Sequence, residues 1–191
     1  MAEQFYYLVP SLPDLRFGER APMTGGEFLH RCRGVVPDEA LRVLEAACAD
    51  PGIEDSPPSH EVLVRWKGRE VALRNALARG RARRLGLDPA RHVRGDAAEA
   101  EASHVAREAF DAASPRMAEE ILDRARWRWL EELEAGHYFD LGRLVIYLLK
   151  VRLLERRAAF SKEAGRGRIE PFRTEAGEAS RQAWEATEPS P

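Results

Sequence analysis

The sequence is poor in the residues by which many functional classes announce themselves. It holds two cysteines, Cys32 and Cys48, too few for a disulfide framework and without the Cys-x-x-Cys spacing of a zinc or redox site. The opening Met1-Ala2-Glu3-Gln4 has no basic region leading into an apolar segment, so a reducing cytoplasm and no signal peptide are expected. Long apolar runs are missing as well. The longest, Leu144-Val145-Ile146-Tyr147-Leu148-Leu149, falls far short of the roughly 18 residues of a membrane span. Phosphate loops and nucleophile elbows are also missing: Gly25-Gly26 precedes no Lys-Ser/Thr, Gly165-Arg166-Gly167 follows a helical pattern, and there is no Gly-x-Ser-x-Gly. Lysine is scarce, since 27 of the 30 basic residues are arginine. A biased base composition of the source genome explains that more simply than selection at a site.

What is present describes a globular, highly charged chain. Its 191 residues are 44% hydrophobic and 32% charged, with a formal net charge of −2, enough length to bury about 70% of the unfolded surface. Charge falls in blocks: residues 1–60 carry −5, 61–95 carry +7, 96–140 carry −7, 141–175 carry +5 and 176–191 carry −2. Antiparallel neighbours would then bring opposite signs together, and a cationic face left over would suit an acidic partner.

Punctuation divides the chain into helices. Thr24-Gly25-Gly26-Glu27 reads as a capping box ahead of a short helix stopping at Gly34. Pro37-Asp38-Glu39 opens a second helix that ends at Asp50-Pro51-Gly52, and Ser56-Pro57-Pro58 reads as a rigid loop. With Ser59 as its cap, a third helix carries Val62, Trp66, Leu73 and Leu77 and closes at Leu85-Gly86, although Val62-Leu63-Val64 could be extended. Asp96 to Ala113 has the small-residue face Ala98, Ala102, Val105, Ala109 and Phe110. Ser114-Pro115 restarts the chain, and the stripe Ala118, Ile121, Leu122, Ala125, Trp129, Leu133 runs to Gly136. Trp127 and Trp129 face different sides of their helix, which would leave one for a rim or partner contact, but core packing of both is the favoured expectation. Asp140 caps a helix over 141–164, apolar all round at Leu144–Leu149 and then narrowing to Leu153, Leu154, Ala158 and Phe160, which is expected to be central. Phe5 to Pro10 reads as an extended aromatic arm. The expectation is an all-α bundle of five to six helices with that arm, one domain over 1–165 (in two lobes, 1–95 and 96–165, if it divides), and a flexible tail over 166–191 with one short helix near Glu178 to Ala186.

Three constellations invite chemistry. Arg79, Arg81, Arg83 and Arg84, followed by Arg91 and Arg94, could meet phosphate, but no aromatic interleaving or groove-entering motif accompanies them. No nucleic-acid partner is expected. Glu101-Ala-Ser-His104 and Glu134-Ala-Gly-His137 match the Glu-x-x-His pairs of di-iron bundles. The first lies opposite its helix's apolar side and the second straddles Gly136, so no metal is expected. His30 and Cys32, two apart, point to different faces.

The segment Phe5-Tyr6-Tyr7-Leu8-Val9-Pro10-Ser11-Leu12-Pro13-Asp14-Leu15-Arg16-Phe17 resembles the start of an uncharacterised bacterial family encoded among the subunits of V-type (A/V-type) rotary ATPases. Leu73-Arg74-Asn75-Ala76-Leu77-Ala78-Arg79 resembles that family's middle helix. Phe139-Asp140-Leu141 with Tyr147-Leu148-Leu149-Lys150-Val151-Arg152-Leu153-Leu154-Glu155-Arg156 resembles its C-terminal helix. These paired helices look distantly like the all-helical stalk component that joins the rotor shaft of such ATPases to the membrane ring. The resemblance implies a non-catalytic component or accessory of a proton- or sodium-translocating ATPase. Such a protein would contact the central stalk or membrane ring, without cofactor or membrane span, as a cytoplasmic protein tied to the inner membrane through that complex. Contact candidates are Tyr6, Tyr7, Arg74, Asn75, Arg81, Arg83 and Arg84. Two alternatives stand beside this reading: a freestanding helical scaffold binding another acidic protein, and a ferritin-like di-metal oxidase built on the Glu-x-x-His pairs.

Overall fold

The computed structural model describes residues 5–48, 60–93 and 99–160. Within them lie six α-helices: α1 (Gly25–Cys32), α2 (Asp38–Cys48), α3 (Glu61–Arg84), α4 (Ala100–Asp111), α5 (Pro115–Leu133) and α6 (Leu141–Ala159). Short 3-10 turns occupy Val9–Ser11 and Pro89–His92, and there is no strand among the described residues. The protein is an all-α bundle. One compact unit spans Met1–Leu154; residues from Glu155 onward form a second, described only as far as the end of α6 and Phe160.

Local chemistry sets the helix ends. Thr24 and Glu27 make the reciprocal capping box, Thr24 Oγ1 accepting from Glu27 N–H at 3.1 Å while Glu27 Oε2 accepts from Thr24 N–H at 2.7 Å. The latter bond, above all, holds the Glu27 carboxyl below its usual range. Ser114 caps α5 with Pro115 in the first turn, and Asp140 Oδ1 accepts from Arg143 N–H at 3.0 Å at the start of α6. Gly34, Gly86 and Gly136 have φ of +74°, +67° and +89°, the left-handed conformation that ends a helix cheaply only at glycine.

Helix α6 is the centre of the core. Eleven of its residues between Gly142 and Leu154 are buried, which requires neighbours on every side rather than one apolar stripe. Phe28 of α1 packs on Tyr147 with ring centroids 5.3 Å apart. Arg152 Nη1 donates to the Ala47 carbonyl at the end of α2, and Lys150 reaches Glu134 beyond α5. Around α6, α3 packs on both α4 and α5, and α4 on α5. α3 and α4 approach closely at Gly80, where a Cβ would fall 2.1 Å from the Phe110 ring.

The blocks of opposite charge do meet. Arg69 of α3 pairs with Glu132 of α5 at 2.8 Å and Arg143 of α6 with Glu134 at 2.8 Å, while Arg128 of α5 and Glu101 of α4, both within the acidic block, pair at 2.5 Å.

Several sequence expectations need correction. The N-terminal segment is not extended: residues 6–8 form a turn, and Val9–Ser11 a 3-10 turn with Pro10 in its first positions. The fixed φ of proline suits that turn, and Phe5 and Leu8 are buried by it. Val62–Val64 is helical, and the α3 cap is His60, whose Nδ1 accepts from Val62 N–H at 3.2 Å; Ser59 lies outside the described residues. Ala158 near the end of α6 and Phe160 just past it are exposed, not part of the buried stripe. Trp127 and Trp129 are both buried, which favours core packing of both over a rim contact for one. The readings at residues 50–58, at Asp96 and Ala98, and over 161–191 fall outside the described residues.

Candidate interaction surface

Two exposed surfaces lie near opposite ends of α3. The first is aromatic. Phe5 N–H donates to the Phe139 carbonyl at 2.5 Å, tying the N-terminal segment to the turn between α5 and α6. Tyr6 then stacks on Phe139, centroids 5.0 Å apart. Tyr7 is 95% exposed, Tyr138 72% and Tyr6 56%, and Phe139 keeps a third of its surface open. Large rings left in water at a joint between two segments form the kind of patch proteins use to bind one another. The same turn carries His137, whose ring lies 6.5 Å from that of His60 at the start of α3.

The second surface is cationic. Arg81 and Arg83 are exposed on the last turns of α3, with Leu85 and Leu87 open beside them. Among the described residues neither arginine carries an ion pair. Arg84 is occupied otherwise: Nη2 donates to the Phe110 carbonyl at 3.0 Å and its guanidinium sits 4.6 Å from that ring's centroid. The 20 positions from Glu61 to Arg81 put the two surfaces about 30 Å apart at the helical rise.

Of the residues singled out from sequence, Tyr6, Tyr7, Arg81 and Arg83 are on these surfaces, and Arg74 is exposed midway along α3. Asn75 is a correction. It is only 3% exposed, because its position faces inward, so it cannot meet a partner. Tyr138 and Phe139 were not anticipated; the signal was there in the adjacent aromatics of a turn next to Gly136.

The interior holds charge without forming a metal centre. Arg126 of α5 reaches Glu70 of α3 at 2.7 Å and Asp123 at 3.3 Å, all three side chains less than a tenth exposed. Lys150, buried, pairs with Glu134 at 2.7 Å and lies 4.8 Å over Trp127, whose indole donates to Glu131 at 2.7 Å. Trp129 Nε1 is buried and meets no acceptor at full hydrogen-bond geometry, yet it lies close enough to Glu101 to favour the ionised carboxylate. Burial pushes the Glu101 carboxyl up, but Trp129 and Arg128 outweigh it and hold it below its usual range. The Cys32 thiol is pushed up to about 11 by burial.

Neither Glu-x-x-His pair converges. Glu101 is spent on Arg128 and His104 is exposed; Glu134 is spent on Lys150 and Arg143, and His137 on Asp140 at 2.6 Å. Among the described residues no three His, Cys, Asp or Glu side chains are grouped to hold a metal ion, and no helix is long and apolar enough to cross a membrane. A cleft of about 30 Å³ between Ala47, Leu63, Trp66, Lys67, Leu149 and Arg152 has room for water only.

Residues 105–175 are similar to a family described as protein of unknown function, DUF2764. That stretch takes in most of α4 and the whole of α5 and α6. No curated protein and no solved structure matches the chain.

Proposed function

We propose that this protein is a non-catalytic adaptor or accessory of a V-type rotary ATPase, binding one component through the aromatic patch and another, acidic one through the cationic end of α3. The observation that carries the adaptor reading is the separation of two chemically different exposed surfaces by a stiff 24-residue helix. An adaptor has to hold two partners at fixed spacing, and a helix packed along its length does so at little conformational cost. The ATPase assignment rests on the resemblance of residues 5–17, 73–79 and 139–156 to the family encoded beside its subunits. The first and last of those stretches supply Tyr6, Tyr7 and Phe139, which build the aromatic patch.

Affinity purification of the full chain from native membranes tests the assignment: stalk subunits are expected with it, and their consistent absence overturns it. The cationic surface has its own test. Reversing charge at Arg81 and Arg83 is expected to weaken association about tenfold, steeply with salt, and to leave the helical circular dichroism unchanged. Binding indifferent to those changes and to salt removes that surface from the proposal. Arg84 is left intact, because it holds Phe110 in place.

A further inference from the structure

The start of α3 is closed by an unusual residue in unusual company. His60 sits just ahead of the first turn with extended backbone, φ −133° and ψ 136°, and its Nδ1 accepts the Val62 N–H at 3.2 Å. An N-cap must present a lone pair, so this cap works only while Nδ1 is unprotonated. Serine, threonine, asparagine and aspartate, the common caps, do not lose that capacity near neutral pH; histidine does.

The ring also faces the turn that leads into α6. His137 is 6.5 Å away, centroid to centroid, and is fixed there from two directions. Its Nδ1 meets Asp140 Oδ2 at 2.6 Å, and it lies against Gly142, where a Cβ would fall 2.3 Å from Nδ1. Asp140 in turn caps α6 through its other oxygen. The cap of α3 therefore lies one histidine ring away from the cap of α6, beside the turn that carries Phe139.

We propose that His60 is a pH-sensitive latch on the first turn of α3, closing it beside the α5–α6 turn when neutral and opening it when protonated. Protonation removes the acceptor from Val62, and it places a positive charge at the positive end of a helix and beside His137. The titratable groups bearing on the ring are His137 and Asp140 of the turn and Glu61 of α3 itself. Burial, then His137, hold His60 below the ordinary histidine range, and the two carboxylates oppose them without prevailing. A histidine lowered in the folded state contributes stability that is fully present above its unfolded value of about 6.5. That contribution is lost as pH falls through the folded value. The latch stands whether or not the ATPase reading does.

The test is nuclear magnetic resonance of the full chain from about pH 7.5 to about pH 4.5, across the histidine range. Three signals are followed: the His60 ring, the Val62 amide shift, and the Val62 amide protection relative to its intrinsic exchange rate. The expected result is a His60 midpoint below the ordinary histidine value, with the Val62 amide moving at that same midpoint. Its protection should fall about five- to tenfold, the scale of a lost cap. His60→Asn keeps an acceptor that does not titrate, and in it the Val62 protection should stay flat. Different midpoints for ring and amide, an unchanging amide, or an equal fall in His60→Asn would each overturn the latch. The comparison of midpoints needs no variant, so it decides even if His60→Asn folds poorly.

Discussion

At the residue scale the costliest feature is the charge buried between α3 and α5. Arg126 serves two carboxylates, Glu70 and Asp123, with all three side chains withdrawn from water. Breaking such a set from one side leaves charge buried without its partner, which costs more than the set ever contributed. Arg126→Met is expected to destabilise by about 3 to 5 kcal/mol in urea unfolding. The triple change of Arg126, Glu70 and Asp123 to apolar residues of similar size should recover most of that loss. This set was not legible in the sequence. Glu70, Asp123 and Arg126 look like any other members of a solvated face, and Asn75 likewise. Only the packing of α3 against its neighbours takes them out of water. By contrast Thr24 and Glu27, and Asp140, are legible as caps and Ser114-Pro115 as a restart, because such signals are settled within three or four residues of chain. His60 is not legible as a cap, because serine, threonine, asparagine and aspartate dominate that position.

At the element scale α3 shows how context reverses the effect of one substitution. Gly68 and Gly80 both interrupt this helix, and alanine is the better helix former at each by about 1 kcal/mol. Nothing lies within 4 Å of a Cβ at Gly68, whereas at Gly80 it would overlap the Phe110 ring. Gly68→Ala is therefore expected to raise the melting temperature by a few degrees. Gly80→Ala should lower it, since Phe110 must leave its place under Arg84; melting curves of the pair read the contrast directly. The sequence marks both glycines equally as weak points, and the distinction belongs wholly to α4. The all-round apolar run of α6, however, announced a central helix by itself, because no amphipathic surface helix carries Leu144 to Leu149 unbroken. The N-terminal segment was misread for a related reason. Its aromatic run has strand propensity, but Pro10 and the bond from Phe5 to Phe139 turn it back on the bundle.

At the scale of the whole molecule the two exposed surfaces are independent. Being about 30 Å apart, they share no neighbours, and changes in them should add without coupling. Tyr7→Ala is expected to weaken one association, and the reversal of Arg81 and Arg83 another. The combined variant should show both losses unchanged, with the unfolding midpoint of the parent protein. Coupling between them in a binding titration would mean a single continuous footprint instead.

The position of α6 in the chain also bears on biosynthesis. The most deeply buried helix, on which Phe28 of α1 and Ala47 of α2 rest, is the last of the six to be made. A ribosome therefore extrudes α1 to α3 while the faces that meet α6 are still wet, and no partial chain ending before Leu141 can bury them. Closure waits for translation to pass Leu154, so the apolar faces of the earlier helices stay exposed until then.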